Sequence, residues 1–287
     1  MEAPAPSAPT HLVLVLCCLI CYIDAMHAMY VDSHCHLEME EYDADREQVI
    51  GRSKKAGLRY ILTVATEEKY FARALEIIES HEMIYGAFGI HPHNSGEFTD
   101  TLAEEIRNYF SHDKLVAYGE IGLDFYRNYA PRDAQIKAFR AQIGLAKELS
   151  LPIIVHSRDA KEETLEILSE TDAAVNGAVM HCFSYDLHTA GKLLDMGFYL
   201  SVPGTITYKN ASELREILRH APLERILPET DAPFLTPEPH RGKRNEPGFV
   251  SIVVKKIAEA VNRPLEDVSS TLCNNFVELF MHRRGHP

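Results

Sequence analysis

From Tyr30 onward, short β-branched or apolar runs alternate with longer segments of helical period, and the alternation repeats eight times. Parallel strands cannot be joined by a tight turn and need a crossover, usually a helix, so this pattern predicts a parallel sheet with crossover helices. The strands are expected at Tyr30–Asp32, Tyr60–Ala65, Ile84–Gly89, Val116–Gly119, Ile153–Val155, Ala178–Met180, Phe198–Ser201 and Arg225–Pro228. Eight such units point to a closed α/β barrel of the (β/α)8 or TIM type rather than an open sheet.

Three helices are legible from period alone. Ile136, Phe139, Ile143 and Ala146 recur at steps of three or four, as do Val250, Val253 or Val254, Ile257 and Val261. Pro264 stands where a last helix would begin, and Leu265, Val268, Leu272, Phe276 and Leu279 then mark one apolar stripe. No Pro/Gly/Ser-rich linker interrupts residues 30–281, so residues 29–287 read as a single domain of the size usual for such barrels.

Residues 1–28 stand apart. They carry an apolar run, LVLVLCCLICYI at 12–23, behind a Pro/Ala stretch without Lys or Arg. That run is shorter than the ~20 residues a membrane-spanning helix needs. It also lacks the basic segment of a secretory signal. An upstream extension is the expected reading, with export as the alternative. Cys35, Cys182 and Cys273, scattered through the body, form no disulfide framework, which fits a reducing, cytoplasmic compartment. No exposed amphipathic stretch implies a membrane or a partner protein. The net charge of −13 opposes long-range attraction to nucleic acid. It weighs less against an enzyme gripping one or two phosphates through cations, which invert the local field.

The chemistry concentrates at the strand ends. Asp32-Ser33-His34-Cys35-His36 closes the first strand, and histidines at i and i+2 project to one side of an extended chain. Glu120 follows Val-Ala-Tyr-Gly, His156 ends Leu-Pro-Ile-Ile-Val, His181 ends Ala-Val-Met, and Asp231 closes Ile-Leu-Pro-Glu-Thr-Asp. In a barrel these C-terminal ends converge on one face, where active sites of the fold lie. Together they supply nitrogen and oxygen ligands for two divalent cations, Zn²⁺, Mn²⁺ or Mg²⁺. Glu120, on a central strand, is the candidate bridge. Asp231 is placed to hold one ion and to orient or deprotonate a water, so Glu120 and Asp231 are the catalytic candidates.

The motifs VDSHCHL, GIHPH (89–93), GEIGLDFYR (119–127), HSRDA (156–160), MHCFS (180–184), SVPGTITYKNA (201–211), ETDAPFLTP (229–237) and RGKRNEP (241–247) resemble those of the TatD family of metal-dependent deoxyribonucleases. The resemblance covers Met29 to Phe280. It implies that His34, His36, Glu120 and Asp231 hold one ion and that Glu120, His156 and His181 hold the second. It further implies a contact from His91 to the scissile phosphate, and makes Arg158 and the stretch Arg241–Arg244, Arg244 included, candidate nucleic-acid contacts. A solvated loop explains Arg241, Lys243 and Arg244 equally well.

The implied activity is 3′–5′ exonucleolytic cleavage of single-stranded or frayed DNA ends. Deacylation of D-aminoacyl-tRNA, or ester and amide hydrolysis of the amidohydrolase kind, is the alternative on the same scaffold. Two departures from the family pattern are Pro228, where an aliphatic residue is common, and Tyr185, where glycine is common. Proline lacks a ladder donor, so a bulge or early strand end is expected at Pro228. Cys35 and Cys182 are expected to point away from their histidine neighbours by strand alternation. Asp124 reads either as a support for the site or as a loop residue.

Overall fold

The computed structural model describes residues 29–281; the segment 1–28 lies outside the described residues. Eight parallel strands run β1 (Tyr30–Cys35), β2 (Leu58–Ala65), β3 (Ile84–Phe88), β4 (Leu115–Asp124), β5 (Ile153–Arg158), β6 (Ala178–Met180), β7 (Tyr199–Val202) and β8 (Ile226–Pro228), paired in sequence order. The crossover helices are α1 (Arg46–Lys55), α2 (Glu68–Ser80), α3 (Asp100–Tyr109), α4 (Arg132–Glu148), α5 (Lys161–Glu170), α6 (Leu187–Asp195) and α7 (Ser212–His220). Two more, α8 (Val250–Val261) and α9 (Leu265–Phe280), follow the last strand. The architecture is the expected (β/α)8 barrel.

Closure between β8 and β1 rests on a short seam. Cys35 and Ala232 form an isolated parallel bridge. The His36 N–H donates to the Ala232 carbonyl (2.8 Å) and the Asp231 N–H to that of His34 (2.9 Å). Asp32, fully buried, accepts from the Thr230 N–H (2.9 Å) and the Thr230 hydroxyl (2.6 Å). The Ser33 hydroxyl donates to the Pro228 carbonyl (2.9 Å). Pro228 is the last residue of β8, as its missing N–H requires.

Strand alternation separates two cores. On β2, Leu62 and Val64 face a cluster that also takes Val31, Val116, Ile154, Val179 and Leu227, whereas Ile61 and Ala65 pack among the helices. The cluster inside the barrel includes Cys273, Phe276, Leu279, Phe280 and Met281, so the apolar stripe of α9 seals one end. The opposite end, where the strands finish, is left to polar groups.

Three strands run three or more residues past their expected ends. β1 extends to Cys35, β4 to Asp124 and β5 to Arg158. Polar residues and glycines carry no strand signal of their own. In β4, however, a register shift against β5 between Gly119 and Ile121 carries the strand onward. Gly122 permits it, because a Cβ there would lie 1.9 Å from the His156 carbonyl oxygen. Glu120 and His156 therefore sit within strands rather than at their ends.

Candidate metal centre

Six side chains from five strands converge on Glu120. His34 Nε2 lies 3.3 Å from Glu120 Oε2, His156 Nδ1 2.8 Å and His181 Nε2 3.6 Å from Oε1. Asp231 Oδ1 stands 3.4 Å from His36 Nε2, 3.9 Å from His181 Nε2 and 4.0 Å from His34 Nε2. His91, the expected phosphate contact, points Nε2 at Glu120 Oε1 from 3.7 Å. Ligand atoms come within 4.8 Å of one another in the sets His34/His36/Glu120, His34/His181/Asp231 and His91/Glu120/His156. All of these residues except His34 line a pocket of about 250 Å³, into which Met39, Thr66, His93, Asn94 and Phe234 also project.

One observation tests whether cations fit. His34 is 1% exposed, yet neither of its ring nitrogens has a hydrogen-bond partner. A buried polar group without a partner is costly. Here the Nε2 lone pair and the Glu120 and Asp231 carboxylates are aimed at one another, which is the arrangement of ligands around an ion.

The remaining histidines are held in defined tautomers from behind. His36 Nδ1–H donates to the Val64 carbonyl (2.7 Å) and His181 Nδ1–H to Glu229 Oε2 (3.0 Å), which turns each Nε2 toward the centre. Glu229 is fixed in turn by the Cys182 N–H (2.9 Å) and the Ser201 hydroxyl (2.6 Å). Asp124 Oδ2 accepts from His156 Nε2 (3.2 Å) and His93 Nε2 (3.0 Å) while Oδ1 accepts from the Arg127 N–H (2.8 Å). Asp124 thus both supports the site and shapes the loop after β4. Helix α4 positions two of these loops. Buried Gln142 brackets Ile90 through its N–H (2.8 Å) and carbonyl (3.0 Å), and buried Gln135 does the same for Asp124 (2.8 and 3.2 Å).

Burial opposes charge on every group here, and the neighbours decide the outcome. Glu120 is driven well below the usual carboxylate range despite burial, by His181, His156 and His34; Asp231 is lowered by His36 and His181. His36 and His156 are raised against burial by the carboxylates they face, and His181 is pushed up to about 10 by Glu229 and Glu120. Burial and neighbouring histidines keep His34 and His91 low.

Glu229 and His93 were not singled out by the sequence, although the i, i+2 spacing of Glu229 and Asp231 is the same signal that marked His34 and His36. Cys35 is buried as expected, with Sγ on the Leu62 carbonyl (3.5 Å). Cys182 differs. β6 ends at Met180, so strand alternation no longer governs position 182, and the thiol groups with His181 and Glu229. Burial and the nearby carboxylates push that thiol well up, away from the thiolate a cation would take.

Arg158 is exposed at the end of β5, its guanidinium 3.9 Å over the Tyr126 ring. Arg244 is half-buried in a forked ion pair with Asp45 (2.7 and 2.8 Å) and does not line the pocket. Tyr185, where a glycine was the commoner expectation, ties its hydroxyl to Ser157 Oγ (2.8 Å), beside His156.

Residues 31–281 match the family model described as TatD related DNase. The chain belongs to the TatD family. A TatD-family relative in Bacillus subtilis, "Uncharacterized metal-dependent hydrolase YabD", is 43% identical over 252 residues, covering 88% of this chain and 99% of that protein. The "3'-5' ssDNA/RNA exonuclease TatD" of Pectobacterium carotovorum is 35% identical over 234 residues, covering 79% and 90%. Among solved structures, the TatD homologue YjjV of Escherichia coli superposes with a TM-score of 0.83 at 32% identity over 88% of this chain and 98% of that one. This TatD-family chain is a metal-dependent hydrolase, with His, Glu and Asp groupings able to bind metal. Among the described residues, no helix is long and apolar enough to cross a membrane.

Proposed function

We propose that the protein is a 3′–5′ exodeoxyribonuclease acting on single-stranded or frayed DNA ends with two divalent cations. His34, His36, Glu120 and Asp231 hold one, and Glu120, His156 and His181 hold the other. The observation that carries the reading is the unpartnered, buried His34 ring facing two carboxylates. When bound, such cations lower the pKa of water and neutralise charge on a phosphoryl oxygen. The protein's own groups do the rest.

Asp231, kept ionised by His36 and His181, faces the pocket and accepts the proton of the attacking water. His91 Nδ1 accepts the His93 N–H (3.2 Å), so a neutral ring carries its proton on Nε2 and offers it to a phosphoryl oxygen in the pocket. Arg158 supplies positive charge at the rim. Arg244 contributes indirectly, by pinning the loop after β8 to Asp45. The relative named as a 3′–5′ ssDNA/RNA exonuclease supports nucleic acid over other esters. The free thiols of Cys35, Cys182 and Cys273 support a cytoplasmic location.

The test is hydrolysis of 5′-labelled single-stranded DNA with Mg²⁺, Mn²⁺ or Zn²⁺, with and without chelator, beside a D-aminoacyl-tRNA control. The expected result is a ladder shortening from the 3′ end that chelator stops. Glu120→Gln and Asp231→Asn should lower the rate by more than about 10³-fold with unchanged circular dichroism. Intact DNA with released D-amino acid would keep the metal site and move the function to deacylation.

A further inference from the structure

Five large apolar side chains are exposed among the described residues, and the three aromatic ones all sit in loops that follow strand ends at the metal-bearing mouth. Tyr126 (56% exposed) and Tyr129 (67%) follow β4, and Phe234 (47%) follows β8. Exposed aromatic surface gathered in one place marks a binding site rather than a core. Strand order fixes their relation. With eight strands closing between β8 and β1, the β4–β5 rim lies diametrically across the mouth from Phe234. Both sides reach the metal site. Tyr129 packs edge-on to His93, ring centres 4.7 Å apart, and Phe234 packs edge-on to His36 at 6.1 Å. His93 and Phe234 line the same pocket.

Positive charge edges the tyrosine rim. On the tyrosine side Arg158 and Arg127 lie 3.9 and 5.6 Å from the Tyr126 ring centre, and neither is in an ion pair within 4.0 Å among the described residues. In a chain of net charge −13, where Arg244, Arg52 and Arg107 are all consumed by carboxylates, two unpaired arginines beside two exposed tyrosines form an anion-seeking platform.

We infer that the mouth carries a split stacking track for single-stranded DNA: one unpaired base on Phe234, the next on Tyr129 and Tyr126 across the site, with Arg127 and Arg158 taking the adjoining phosphate. The scissile phosphate then lies between two bases that have left the stack. This rests on the phosphodiesterase reading above. Base–aromatic stacking is sequence-tolerant, because every base has a π-face, and the arginine-edged tyrosines match the alternation of base and phosphate along one strand. A duplex end, whose bases stack on one another, cannot use both rims until it frays.

The experiment compares kcat and KM of the metal-loaded full chain on oligo(dT) and on bis(p-nitrophenyl) phosphate, a diester without bases. The Tyr126→Ala/Tyr129→Ala double variant is expected to raise KM for oligo(dT) by about 5- to 150-fold, with a smaller change in kcat. Its loss on the base-free diester should be several times smaller. Tyr126→Phe/Tyr129→Phe, which keeps both rings, should restore oligonucleotide KM to within about threefold, on the same stacking argument. Phe234→Ala should repeat the KM effect from the other rim. Equal losses on both substrates would show general damage to the site and overturn the track, as would an unchanged oligonucleotide KM in an active double variant. A wild-type chain that cleaves the small diester but no oligonucleotide would sink the nuclease reading and the track together.

Discussion

Replacing Glu229 by glutamine keeps the volume of the side chain and changes only what its two ends can accept. The carboxylate now takes three donors: His181 Nδ1–H and the Ser201 hydroxyl at Oε2, and the Cys182 N–H at Oε1. An amide can satisfy only one end. With its oxygen toward His181 and Ser201, its NH₂ confronts the Cys182 N–H, which keeps Ser201 Oγ (3.0 Å) as acceptor, and the buried NH₂ itself, left without an acceptor there, costs about 1–3 kcal/mol. With its oxygen toward Cys182, its NH₂ faces His181 Nδ1, which must give up its proton; the imidazole then carries it on Nε2, the atom aimed at Glu120 and Asp231. Loss of such an orienting partner lowers metal affinity by roughly 10–100-fold, about 1.4–2.7 kcal/mol. Competition against a chromophoric zinc chelator should show metal affinity weakened by that factor, with a matching fall in hydrolysis. Wild-type metal affinity in Glu229→Gln would refute the argument that this carboxylate sets the His181 tautomer.

Two further outcomes follow from other parts of the molecule. Phe276, fully buried and stacked on Tyr60 at 5.7 Å, is a main part of the barrel's floor, so Phe276→Ala should cost about 3–5 kcal/mol in urea unfolding without altering metal affinity. Metal binding should release protons, because His36, His156 and His181 are all raised in the metal-free protein and must deprotonate to coordinate. Calorimetry in buffers of different ionisation enthalpy should give more than one proton per chain at pH 7.5, and affinity should rise with pH. The sign for the chelated protein is opposite. With His181 pushed up to about 10 from its unfolded value near 6.5, its stabilising pairing with Glu229 is complete below about pH 6.5 and is lost as pH rises through about 10. A melting temperature of the chelated protein that climbed across that window would contradict this.

The barrel was legible because each strand carries its own β-branched run and each helix its own stripe, both local properties of the chain. The candidate ligands were legible for a related reason: polar residues at the ends of apolar runs stand out against their surroundings. The supports were not. Glu229 meets His181 across 48 positions, and Gln142 meets Ile90 across 52, so their roles exist only once distant strands and helices are adjacent. β4 was cut short because its glycines read as punctuation, whereas Gly122 is present so that His156 can approach. Tyr126, Tyr129 and Phe234 carry no local signal either, since an aromatic in a loop looks the same whether it is buried or exposed.

The floor made by α9 has a consequence for traffic. With Phe276, Leu279 and Phe280 stoppering the end away from the strand tips, the barrel is a cul-de-sac rather than a tunnel. Whatever enters and whatever leaves use the same doorway. A polymeric substrate could therefore not be threaded along the barrel axis. On the exonuclease reading proposed above, the shortened strand would leave by the mouth through which it entered.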